Sequence, residues 1–210
     1  MTQNLSLKEA ERKVFRTTYN DGLWDIFLAC FFFTFIIELY ISPYWGDFWS
    51  STLMIPIMTI SYLIIWLIRK HVVIPRTGVV KFGILRKAKL KKFSLIMLIV
   101  NILAFILGLV SVLSIGSFPG QIYSYFFGAT LLIFFSFGAF FLDISRLYFY
   151  GLLAGLSPLI GEWLWSQGYA AHHGFPLTFG TLAGIMTIVG LVIFFRFLRN
   201  NPLLLEQGES

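Results

Sequence analysis

The sequence predicts an all-α integral membrane protein of six transmembrane helices, with a short N-terminal amphipathic helix and a small cytoplasmic β-hairpin. Three observations carry this reading. Of the 210 residues, 58% are hydrophobic, 19% are aromatic and only 12% are charged, and the mean hydropathy is +0.81. An average soluble domain holds about 25% charged and roughly 45–50% apolar residues. The apolar residues gather in six runs near the ~20 residues a helix needs to cross the hydrocarbon core. The 16 Lys and Arg residues lie in alternate connections or, for Arg196, at the end of the last run. Disorder is excluded by the same composition, because disordered chains are poor in aromatics and rich in charge.

Residues 1–22 form the first element, a cytoplasmic amphipathic helix and turn. Ser6 and Glu9 have the spacing of a capping box. Leu7, Val14 and Phe15 gather on one side of a helix over 6–16, which would lie in the membrane interface with its basic residues toward the headgroups. Asn20-Asp21-Gly22 ends it with a turn. The first apolar run follows a long polar stretch, lacks a small-residue cleavage site and precedes five more runs, so it is read as a span rather than a removable signal. The spans are expected over 23–41, 49–68, 93–115, 122–142, 147–165 and 177–198, within a transmembrane domain of 23–199 and before a tail of 200–210. The very short link at 143–146 makes the fourth and fifth spans antiparallel neighbours, and the longest external connection is 166–176.

Orientation follows from the basic residues, which favour cytoplasmic loops near helix ends. Four precede the first span (Lys8, Arg12, Lys13, Arg16), Arg146 lies in the 143–146 link, and Arg196 and Arg199 close the last span. The other nine lie between the second and third spans: Arg69, Lys70, Arg76, Lys81, Arg86, Lys87, Lys89, Lys91 and Lys92. The opposite loops hold none, so both termini are expected in the cytoplasm of a cell-membrane protein. Within 69–92, the β-branched runs His71-Val72-Val73-Ile74 and Val79-Val80-Lys81-Phe82 flank Pro75-Arg76-Thr77-Gly78, the pattern of a hairpin. Residues 86–92 form a polybasic segment beside the membrane, where each basic residue near an anionic leaflet contributes about 1 kcal/mol. These nine residues are expected to contact anionic lipid headgroups or a partner protein. Nucleic acid is not expected, because the patch faces a membrane and lacks a base-reading module.

Ionisable groups within spans point to function because burying them is costly. Glu38 and Glu162 fall near the external ends of the first and fifth spans, and with His172, His173 and Asp47 they would form an external ion or substrate site. Carboxylates attract cations and imidazoles titrate near neutral pH. The plainer reading, which the sequence favours, is solvated loop residues beside interfacial aromatics such as Tyr44, Trp45, Trp49, Trp163 and Trp165. No metal-ligand spacing occurs, and no cofactor is expected. Asp143 and Arg146 are expected to pair, Asp25 to reach a basic neighbour, and Asn101 to bond another helix. Pro56 and Pro158 interrupt the second and fifth spans, as a plain kink or, in the transporter reading, as matching broken helices. Gly151 with Gly155 and Gly180 with Gly184 suggest that the last two spans pack closely on each other. Cys30 is the only cysteine and reads as a packing residue. The segments Asp21-Gly22-Leu23-Trp24-Asp25 and 74–82 stand out as signature-like without indicating a chemistry.

Motifs for metalloproteases, serine hydrolases, P-loop NTPases and Rossmann dinucleotide binding are missing. The expected function is therefore a non-enzymatic accessory or regulatory membrane subunit that engages anionic lipid or a partner through its basic face. A small secondary transporter using rim carboxylates is the alternative, and a lipid-headgroup enzyme is the second. A second copy of the chain also fits the partner role.

Overall fold

The computed structural model describes residues 21–77, 84–113, 120–170 and 172–202. It is helical, with no strand among the described residues. The helices are α1 (Leu23–Thr52), α2 (Met54–Ile68), a π-helical turn Arg69–Val73, α3 (Ile74–Thr77), α4 (Ile84–Leu113), α5 (Gly120–Leu142), α6 (Arg146–Ser166), a 3-10 turn His172–Gly174, and α7 (Phe175–Asn200). Five segments are long and apolar enough to cross a membrane: Leu23–Gly46, Phe48–Thr77, Ala88–Val110, Gln121–Leu142 and Phe175–Asn200. The remaining expected span, the fifth, corresponds to α6, whose 21 residues include glycines, Ser157, Pro158 and the buried Glu162. Its lower hydropathy follows from packing against protein.

One correction concerns the connection after the second span. The expected hairpin is not formed where the structure describes it, because 71–77 are helical; 78–83, which would hold its turn and second strand, lie outside the described residues, as do 6–16. β-branching is only a weak preference, and a helix arriving from α2 already supplies the carbonyls that the next residues bond. Ile74 N–H donates to Arg69 O, the i→i+5 bond of a π-helix. Pro75 then falls in the first turn of α3, where its missing N–H costs little. Pro56 lies within the span Phe48–Thr77, where the helix breaks at Leu53 three residues before it, between the end of α1 and the start of α2. The reversal between the first two spans falls at Gly46, whose φ of 77° suits glycine.

The chain divides into two compact units: one comprises residues 1–83 and 183–210, the other 84–182. In the first, Gly22 (φ 80°) approaches the Gly190 carbonyl and the Phe194 amide so closely that a Cβ would clash. Asp21, 0% exposed, accepts the Leu23 N–H (3.1 Å) and pairs with Arg69 (3.2 Å). Leu23, Val73 and Phe197 close an apolar cluster beside this pair. Arg76 donates to the Asn201 carbonyl at 2.9 Å, capping the end of α7. The described parts of the two signature-like segments thus meet the end of α7 in one place.

In the second unit, α5 and α6 form an antiparallel pair joined through Asp143, which takes a left-handed φ of 56°. The buried stripe of α6 includes Leu147, Tyr150, Gly151, Ala154, Gly155, Pro158, Gly161 and Glu162, returning to the same face every three or four residues. It meets Ser124, Gly128, Leu131, Phe135 and Ala139, a stripe of α5 with the same spacing. A Cβ on Gly128 would collide with the Gly155 carbonyl, and one on Gly151 would lie 2.7 Å from Phe135 Cβ. The small residues of α6 therefore serve α5, which corrects the expectation that they face α7. At Gly184 a Cβ would meet nothing within 4 Å. Asn101 donates to Met97 O of its own helix (2.8 Å) and is exposed, which corrects its expected bond to another helix.

Candidate functional site

The site is built on the end of the α6 stripe. Continuing the spacing Gly151, Gly155, Pro158 by one more turn reaches Gly161 and Glu162, so Glu162 faces inward and is only 6% exposed. Gly161 leaves room for the returning chain: a Cβ there would lie 2.7 Å from the His173 carbonyl. The chain turns through His173 (φ 55°) and Gly174 (φ 63°). A left-handed histidine is uncommon and costs some backbone strain. Here it turns the imidazole onto Glu162.

His173 Nδ1 and Glu162 Oε2 are hydrogen-bonded at 2.8 Å. The ring stacks on Trp165 with centroids 4.3 Å apart and lies 5.9 Å from Phe175. The imidazole is thereby held on both its polar and its flat faces, although 49% of the side chain is exposed.

Glu162 and His173 stand in the wall of a cavity of about 520 Å³, completed by Ala104 and Gly108 of α4, Tyr123, Ser124, Phe126, Phe127 and Thr130 of α5, and Phe175. This volume falls within the range of small-molecule sites, roughly 300–1,000 Å³, and the mostly apolar wall with a few convergent polar groups has their character. A second cavity of about 140 Å³ lies against Gln121, Ser124, Tyr125, Leu159, Trp163 and Ser166, and Glu162 lines it too. Glu162 and Ser124 are therefore shared by a larger apolar chamber and a smaller, more polar one. Such an arrangement can bind a small amphiphile and present its polar end to the carboxylate. Among the described residues no group of three His, Cys, Asp or Glu is placed to hold a metal ion.

The remaining expected site residues fall elsewhere. Glu38 belongs to the other unit, where it accepts a hydrogen bond from Ser51 across the Gly46 reversal. His172 and Asp47 are placed by their backbone alone. Of the basic residues, Arg69 pairs with Asp21, Arg76 caps α7, Lys70 lies over the Trp66 ring, and Lys89 pairs with Asp143 (3.6 Å) and donates to Phe140 O. Lys91 and Lys92 are exposed on α4, Arg86 and Lys87 are placed there by backbone alone, and Lys81 lies outside the described residues. Sequence reasoning missed Ser124, Tyr123, Phe127 and Phe175. The available signal was the four-residue step from Ser124 to Gly128, which puts Ser124 on the packed face of α5.

The chain matches no protein-family model, no curated protein and no solved structure. Its functional reading therefore rests on site geometry and chemistry.

Proposed function

We propose that this protein is a small secondary transporter of the cell membrane, with both termini in the cytoplasm and its substrate site at Glu162. One observation carries the reading: a carboxylate 6% exposed, braced by His173, is shared between an apolar chamber and a smaller cavity beside it. Burying an ionisable group in a membrane domain is costly, and such groups commonly mark solute or ion pathways. A site that only anchored helices would need no chamber of this size beside its carboxylate.

The test is cysteine accessibility. With Cys30, the only cysteine, replaced by Ser, Gly108→Cys places a thiol in the cavity wall at a position where a Cβ meets nothing within 4 Å. Alkylation by N-ethylmaleimide needs the thiolate and hence water. In proteoliposomes the Cys at 108 is expected to react, whereas Ile106→Cys, on the same helix and 48% exposed outside the cavity lining, is expected to stay inert in lipid. An inert thiol at 108 would contradict a solvated substrate path.

A second reading, engagement of anionic lipid or a partner by the basic face, is favoured by the exposure of Lys91 and Lys92 on α4. Replacing both by Gln is expected to reduce anionic lipid retained in native mass spectra, and unchanged retention would remove this role.

A further inference from the structure

We infer that the chamber beside Glu162 takes a lipophilic organic cation, an amine or quaternary ammonium with a compact apolar body. This rests on the transporter reading and names its cargo class. Four aromatic side chains, Tyr123, Phe126, Phe127 and Phe175, line the chamber together with Glu162 and His173, and no Lys or Arg does. Aromatic faces carry negative potential and attract ammonium groups, most strongly where water is excluded. Two of these rings are held by ring contacts: Phe127 lies 6.3 Å from Phe175 and 5.9 Å from the buried Phe179, and Phe175 lies 5.9 Å from Phe179. Phe127 and Phe175 are therefore preorganised rather than assembled around each ligand. His173 engages Glu162 at Oε2, and the carboxylate stands at the chamber wall.

Other ligand classes fit less well. An anion would meet a carboxylate and no cationic side chain. A neutral hydrocarbon would leave the carboxylate desolvated with nothing in return. A sugar needs many polar partners, and this wall offers few. An ammonium group satisfies the carboxylate and the aromatic faces together, while its apolar body replaces lipid or water along the rest of the wall.

The experiment measures protection of the cysteine at 108 in the Gly108→Cys, Cys30→Ser protein. Its alkylation rate is followed with benzyltrimethylammonium and with neopentylbenzene, a neutral molecule of nearly the same shape. The cation is expected to slow alkylation and the neutral isostere not to. Glu162→Gln is expected to weaken that protection about tenfold or more, with an unchanged rate in the absence of ligand showing that the cavity is intact. Glu162→Asp is expected to restore part of it. Equal protection by both molecules, or protection that survives Glu162→Gln, would overturn the cation assignment and leave the transporter reading standing. Reaction at 108 with protection by neither would likewise overturn the cation assignment. A thiol that never reacts would overturn the transporter reading itself.

Discussion

At the scale of single residues, two of the buried acidic side chains, Asp21 and Glu162, serve different ends. Asp21 is 0% exposed and is used by its own fold: it caps Leu23 and pairs with Arg69. Removing one partner of a buried pair costs more than weakening both, because it strands a charge. Arg69→Ala is therefore expected to destabilise by about 3 kcal/mol, and Asp21→Asn, which keeps an acceptor for Leu23, by about 1–2 kcal/mol. Thermal unfolding in detergent checks the order, and equal small losses would contradict it. Glu162 is braced by His173 but opens onto two cavities, so its burial is not explained by packing alone. Both Glu162 and His173 were legible in the sequence as ionisable groups near a span end. Their contact was not, because it depends on a left-handed turn at His173 as well as Gly174, and a histidine does not announce that conformation.

At the scale of elements, the helical periods were legible and the partners of the helices were not. Glycines four apart signal a close contact without saying which neighbour makes it. The short 143–146 link decides the matter in favour of α5, and the Gly128 to Gly155 approach is the result. Gly128→Ala is accordingly expected to destabilise the α5–α6 pair by about 1–3 kcal/mol. Gly184→Ala, with open space around it, is expected to be neutral or stabilising by up to about 1 kcal/mol, the gain in helix propensity. Heat denaturation of the two variants separates these outcomes, and equal effects would show that the close approach does not govern packing. The hairpin expectation failed for a related reason. A β-branched run beside a proline resembles a strand and turn only while the preceding helix is ignored; Val73, at the end of the π-helical turn, is held by Leu23 and Phe197 instead.

At the scale of the whole molecule, membrane character was readable from composition alone, since five segments and α6 supply the long helices that the apolar runs announce. Orientation is a separate matter that rests on charge. Basic residues in alternate connections predict that tags at residues 1 and 210 are both digested by protease in inside-out vesicles and both protected in right-side-out cells, and opposite protection of the two ends would refute the assignment. Function was the least legible, because it depends on which side chains border one cavity, and four of its aromatic walls look in sequence like any other membrane phenylalanine or tyrosine. The most direct measurement is uptake of labelled benzyltrimethylammonium into proteoliposomes. Vesicles holding the protein are expected to accumulate it faster than protein-free vesicles, with the excess lost in Glu162→Gln. Uptake no faster than in protein-free vesicles, or unaffected by Glu162→Gln, would contradict transport through this site.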